Sequence, residues 1–171
     1  MSVYGALIYM SSIPGGWIAD RITGTRGATL IGAVLIIIGH ICLSLPFAMF
    51  GLFASMFFII VGSGLMKPNI SNIVGRLYPQ NDVRMDAGFV IFYMSVNFGA
   101  LVSPIILQHF INVKNFHGGF LIAAIGMALG LVWYVLFNRK NLGSVGMKQT
   151  NPLSPTEKKK YSIITVSYTH L

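Results

Sequence analysis

Acidic side chains are scarce. Four aspartates and glutamates stand against twelve lysines and arginines in 171 residues, and charged residues of both signs make up only 9% of the chain. An average soluble domain carries about 25% charged residues, so an ordinary water-facing globular surface is excluded. The acidic residues are scattered, at Asp20, Asp82, Asp86 and Glu157, so no paired carboxylates share a face for general acid–base work. Cysteine occurs once, as Cys42, which rules out an intramolecular disulfide and leaves the redox compartment open. His40, His109, His117 and His170 are too dispersed to form a metal site with it. No Ser/His/Asp grouping occurs, and Gly15-Gly16 lacks the spacing and the Lys-Ser/Thr pair of a phosphate loop. The chain is therefore expected not to be an enzyme and to hold no metal or cofactor. The first ten residues lack the basic region of a cleavable signal peptide, and no A-x-A-like site follows them.

What the chain has is apolar length. Hydrophobic residues make up 54% of it and the mean hydropathy is +0.72, the composition of a membrane protein. Five apolar segments, at about 3–19, 28–46, 52–74, 87–111 and 120–137, each approach the ~20 residues a helix needs to cross the hydrocarbon core. The expectation is an all-α membrane protein with five transmembrane helices in residues 1–138. A polar linker follows at 139–160, with Gly143, Pro152 and Pro155. Residues 161–171 turn apolar again, as the truncated start of a further segment or a non-native tail.

The net charge of +8 is explained by position. The first and third connectors and the segment after the fifth span hold Arg21, Arg26, Arg76, Arg84, Arg139, Lys140, Lys148 and Lys158 to Lys160. The opposite side holds Lys114 alone. By the positive-inside rule the basic side, with linker 139–160, is cytoplasmic, which puts the N-terminus on the outer side. No basic, aromatic-interleaved patch remains for nucleic acid.

One stretch, Gly62-Ser63-Gly64-Leu65-Met66-Lys67-Pro68-Asn69-Ile70-Ser71-Asn72, puts a lysine, a proline and two asparagines inside an apolar span. An ammonium at that depth costs about 2.5–3.5 kcal/mol even on lenient insertion scales, so Lys67 should face a protein interior or a water-filled cavity. Counting 1.5 Å per residue from Arg76, Asp86 and Asp20 puts Lys67, Asn97 and Tyr9 about 14–17 Å from the cytoplasmic boundary. Polar groups from three helices at one depth fit a substrate or ion site. For Asn97 and Tyr9 alone, interhelical hydrogen bonding worth about 0.6 kcal/mol is an equal alternative. Pro14, Pro68 and Pro104 leave the carbonyls of Met10, Gly64 and Ala100 without their helical donors, as packing kinks or hinges. Gly15, Gly16, Gly62, Gly64, Gly99 and Gly126 fit close helix contacts. His40 fits a neutral packed histidine better than a proton relay.

The segment Gly15-Gly16-Trp17-Ile18-Ala19-Asp20-Arg21-Ile22-Thr23-Gly24-Thr25-Arg26 resembles the first signature of the proton-dependent oligopeptide transporters, the peptide branch of the major facilitator superfamily. Met66-Lys67-Pro68-Asn69-Ile70-Ser71 and Phe92-Tyr93-Met94-Ser95-Val96-Asn97-Phe98-Gly99-Ala100-Leu101 resemble its fourth- and fifth-helix motifs. Asp20-Arg21 with Gly24 and Arg26 alone would indicate only the superfamily; three motifs in order, over about residues 1–160, are specific together. The resemblance implies that the five spans are helices two to six of an N-terminal bundle. It implies cotransport of di- and tripeptides with protons, driven by the proton gradient, in a multi-pass plasma-membrane protein working by alternating access. Lys67 then matches the lysine that contributes to peptide-carboxylate recognition and proton coupling. Asn97 matches a peptide-binding asparagine, and Tyr9 a pocket tyrosine. Asp20, Arg21, Gly24, Arg26, Pro68 and Pro104 form the gating and structural motifs.

Phe98 departs from a smaller aliphatic residue as a packing variation. The first-helix E-x-x-E-R motif and the C-terminal six-helix bundle lie outside this chain, so the usual partners of Lys67 and the site for the peptide amine are not in it. The chain is expected to be a partial transporter that does not transport alone, with Lys67 either solvated in an open cavity or deprotonated. Two alternatives stand beside it: the same fold with another small-anion or amino-acid cargo, and a truncated membrane polypeptide without transport function.

Overall fold

A computed structural model describes residues 3–46, 48–79 and 81–154. The tail 161–171 and the end of the expected linker lie outside the described residues. The elements in order are α1 (Val3–Met10), α2 (Ser12–Ile18), a π-helical turn (Ala19–Thr23), α3 (Gly24–Ser44), α4 (Ala48–Arg76), α5 (Arg84–Asn112) and α6 (Phe116–Leu142). Among the described residues, four stretches are long and apolar enough to cross a membrane: Val3–Ser44, Met49–Arg76, Arg84–Asn112 and Phe116–Leu142. The helices overrun the apolar segments because their charged ends, such as Arg139-Lys140 at the end of α6, continue the helix into the polar interface and complement its dipole.

The first stretch, of 42 residues, would be about 63 Å long as one rod, twice the hydrocarbon thickness. It is not one rod. Pro14 cannot donate to the carbonyl of Met10, and the helix is interrupted at Ser11 between α1 and α2. Gly24 then adopts φ 73°, ψ 160°, a conformation that costs glycine little and side-chain-bearing residues much. The chain reverses there. Ser11 and Gly15 meet Gly64 and Leu65 of α4, whereas Gly32 meets Gly62 and Met66, and Gly39 meets Ile59 and Ser55. The numbers on α4 rise along α2 and fall along α3, so α1–α2 runs parallel to α4 and α3 antiparallel to it.

Glycines make these contacts possible. A methyl group on Gly32 would sit 2.6 Å from the Gly62 carbonyl oxygen, and one on Gly62 would sit 2.7 Å from the Gly32 oxygen. On Gly15 it would collide with the Gly64 carbonyl, the group that Pro68 leaves without its helical donor. Lipid offers no hydrophobic drive for helices to pair, so close backbone approach and dispersion must supply it. Gly15, Gly62 and Gly64 are close-contact glycines as expected, but Gly16, Gly99 and Gly126 face open space, with nothing within 4 Å of an added methyl. Gly32 and Gly39 take that role instead. Packed against this spine are Ala19, Ala28 and Leu65.

Helices α5 and α6 sit further out. No residue of α5 is buried; near its start Phe89 lies against Gly75 of α4, and Gly88 against the ring of Tyr78 just past the end of α4. The two ends of the bundle differ in charge. One gathers the π-helical turn, the start of α3 and the ends of α4 and α6, and with them Arg21, Arg26, Arg76, Arg139, Lys140 and Lys148. At the other, His117 Nδ1 meets the Leu43 carbonyl at 3.3 Å and Lys114 lies in the turn between α5 and α6.

Neighbouring glycines give a paired test. Gly15→Ala is expected to cost the detergent-solubilised chain about 1–3 kcal/mol through overpacking. Gly16→Ala should be neutral or stabilise it by up to roughly 1 kcal/mol, because alanine is the better helix former. Thermal unfolding of the two variants beside the unaltered chain measures the difference.

Candidate functional site

Lys67 lies within the apolar α4 and is exposed. Two residues along a helix of 3.6 residues per turn is about 200°, so Lys67 and Asn69 point to opposite faces. Asn69 is 1% exposed and Lys67 looks out of the bundle. Among the described residues no carboxylate lies within ion-pair distance of its ammonium. Pro68 remains inside an unbroken α4, and Pro104 inside α5.

Asn97 lies on α5, exposed, with its amide donating to the Tyr93 carbonyl at 2.8 Å. Gly75 faces Phe89 across the α4–α5 contact. Counting eight residues back to Lys67 and eight on to Asn97 puts both at one level, roughly 12 Å from that contact. The two share a depth but do not meet, because α5 buries no residue against its neighbours. Tyr9 is 69% exposed on α1. Its depth differs from the count along the sequence. Ser11 Oγ reaches the Ile60 carbonyl at 2.9 Å, so in this parallel pair Tyr9 falls before the level of Ile60, roughly 10 Å from Lys67 along the axis. Counting from Asp20 failed here because the π-helical turn and the register of glycine packing, not a common boundary, set the height of α1.

The signature residues form a second constellation, at the charged end. Arg26 is 6% exposed; its backbone N–H donates to the Gly146 carbonyl at 3.0 Å and its Nη2 to the Gly143 carbonyl at 2.9 Å. Thr25 Oγ1 lies 3.4 Å from the Gly146 carbonyl, and Gln149 Nε2 donates to the Ile22 carbonyl at 2.7 Å. The Thr150 hydroxyl accepts from Arg76 Nη2 and donates to Asp20 Oδ1 at 3.0 Å, linking a carboxylate and a guanidinium that are 4.0 Å apart. The start of the expected linker is thus a strap bound over the π-helical turn. Gly146, at φ 73°, rests against Thr25 and Arg26. Burying a guanidinium is costly unless carbonyls replace water; the strap supplies one such carbonyl, that of Gly143, while Nε of Arg26 is buried without a hydrogen-bond partner among the described residues. Nothing in the spacing of Gly143, Gly146 and Thr150 signals this contact.

Among the described residues no group of three or more His, Cys, Asp or Glu is placed to hold a metal. An apolar cavity of about 660 Å³ between α3, α5 and α6 is lined by Ile36, His40, Ser103 and Gly126, among others. Lys67, Asn97 and Tyr9 do not line it. His40 Nδ1 lies 3.0 Å from the Ile36 carbonyl, one turn back on α3. Sequence reasoning missed Asn69, whose amide donates to Leu65 at 2.7 Å and to Gly15 at 3.3 Å. Its cost in an apolar helix was the available signal.

Residues 27–168 match the family profile PTR2, described as POT family. The chain belongs to the POT family. It is 42% identical over 167 residues to a di-/tripeptide transporter of Lactococcus lactis subsp. cremoris, covering 98% of this chain and 33% of that protein. It is 83% identical to a POT family transporter solved in complex with 5-aminolevulinic acid, at a TM-score of 0.93, over 98% of this chain and 34% of the other. The same identity, TM-score and coverage hold for a POT family transporter solved with a thioalcohol-conjugated peptide. The chain spans about a third of the length of these relatives. With its long apolar helices, the POT-family chain is a multi-pass membrane protein of the major facilitator type.

The strap is testable. Gly146→Val puts a branched side chain at a positive φ against Thr25 and Arg26. Trypsin cleavage after Lys148 is expected to run about tenfold faster than in the unaltered chain, because proteolysis follows the population of the opened segment.

Proposed function

We propose that this chain forms the matching third of a proton-coupled di- and tripeptide symporter that works by alternating access in the plasma membrane. Its charged end and the linker face the cytoplasm, and the proton gradient is the energy source. The observation that carries this reading is Lys67: an exposed ammonium in the middle of an apolar helix, set in a motif resembling that of peptide transporters. Lys67 binds the peptide carboxylate and takes part in proton coupling. A strongly hydrated point charge on a flexible stem suits a carboxylate whose position changes with peptide length. Asn97, at the same level on α5, offers an amide to the peptide. Tyr9 lines the cavity nearer the outer end. Asp20, Arg21, Gly24 and Arg26 form the cytoplasmic gating motif, with Pro68 and Pro104 as the points where α4 and α5 yield. Helices outside this chain complete the cavity and bind the peptide amine.

A second reading, a small amino-acid cargo, is favoured by the 83%-identical transporter solved with 5-aminolevulinic acid. One experiment addresses both. In a full-length transporter carrying this chain, Lys67→Ala is expected to reduce proton-driven uptake of a labelled dipeptide by about 10²-fold or more, the loss of a charge-assisted contact of roughly 3 kcal/mol. Unaltered uptake would remove Lys67 from the site. Competition with unlabelled dipeptide and with 5-aminolevulinic acid ranks the two cargo classes.

A further inference from the structure

The weakest point of α4 lies next to its lysine. Pro68 carries no N–H, so the Gly64 carbonyl loses its helical donor and the two halves of α4 are joined by one bond fewer. A lysine beside a missing helical bond is less firmly aimed, and a carboxylate site built on it needs other contacts to fix its direction. Contacts on both sides of Pro68 hold this point of α4 in place. Before it, Gly64 is pressed against Ser11 and Gly15, and Gly62 against Gly32. Across it, the Asn69 amide spends one donor on the Leu65 carbonyl at 2.7 Å, on the near side of the proline. Its other donor reaches the Gly15 carbonyl at 3.3 Å, on the neighbouring helix. The side chain that restores a bond along α4 therefore also fixes its rotation against α2.

We propose that Asn69 is a positioning residue for Lys67, an inference that rests on the transport reading of that lysine. Asn69 never touches the cargo: it is 1% exposed on the face opposite the ammonium. By bonding Leu65 and Gly15 together it holds α4 at one rotation beside Pro68 and keeps Lys67 directed into the cavity. A leucine of similar volume would fill the space and leave both carbonyls to their other partners. A serine would keep a bond within α4, one turn back, and would be too short to reach Gly15.

Dipeptide uptake is measured in the full-length transporter carrying this chain, for the unaltered protein, Lys67→Ala, Asn69→Leu and Asn69→Ser. The expected result for both Asn69 variants is a KM about tenfold higher, with the maximal rate per folded transporter held within about twofold. A purely structural role would lower the amount of folded protein and leave KM alone, and that result overturns the proposal. So does failure of both variants to accumulate, which would make Asn69 a folding determinant. A second measurement needs no transport. In a Cys42→Ser background, Lys67→Cys is alkylated with a water-soluble maleimide; adding Asn69→Leu or Asn69→Ser should slow labelling about fivefold. Equal labelling rates overturn the proposal. If Lys67→Ala leaves uptake unchanged, the transport reading fails while the labelling rates still report whether Asn69 directs position 67.

Discussion

The bundle depends on backbone meeting backbone across α4. Gly15 against Gly64 and Gly32 against Gly62 bring two helices so near a third that no side chain intervenes. In a bilayer the hydrocarbon outside is as apolar as any leucine inside, so helices gain little from merely apolar faces. They gain from contact at short range, and the freed Gly64 carbonyl gives one of these contacts a polar component. Because α2 and α3 approach from different sides, α4 is held along most of its length. A helix held in that way can carry a lysine on its remaining face without tilting to relieve it.

Helix α5 illustrates the opposite case. Its Gly99 meets nothing within 4 Å and none of its residues is buried, though Phe89 lies against Gly75 of α4. Asn97 is consequently at the level of Lys67 but laterally apart from it. The charged end is organised by different forces. There the strap's carbonyls bond Arg26, and Thr150 links Asp20 to Arg76. Asp20 and Arg76 are partly exposed and 4.0 Å apart, so their direct attraction is weak. The fit of the Gly24 and Gly146 backbones does more to hold that corner together.

Much of this was legible from residue types alone. A lysine amid apolar residues announces itself through its solvation cost, and the basic excess announces sidedness. The glycines were legible as a class but not individually. Gly15 and Gly16 are adjacent, yet one is buried in the α2–α4 contact and the other faces open space, because neighbours on a helix differ by about 100° in direction. Asn69 looked like an expense beside Lys67, and only its distances to Gly15 and Leu65 show what the expense obtains. The Tyr9 depth came out wrong because a count along one chain assumes that every helix starts at the same height.

The sequence by itself determined the class of protein, its helical spans, its charge asymmetry and its family resemblance. Each follows from local chemistry: hydropathy over about 20 residues, the charge of connectors, and motifs read in order. Tertiary structure alone decided which glycines touch, that the strap closes over Arg26, and that Lys67 and Asn69 divide one stretch between an open face and a buried clamp. Those depend on helix rotation and register. Apolar sequence constrains both weakly in a medium where almost every face is equally welcome.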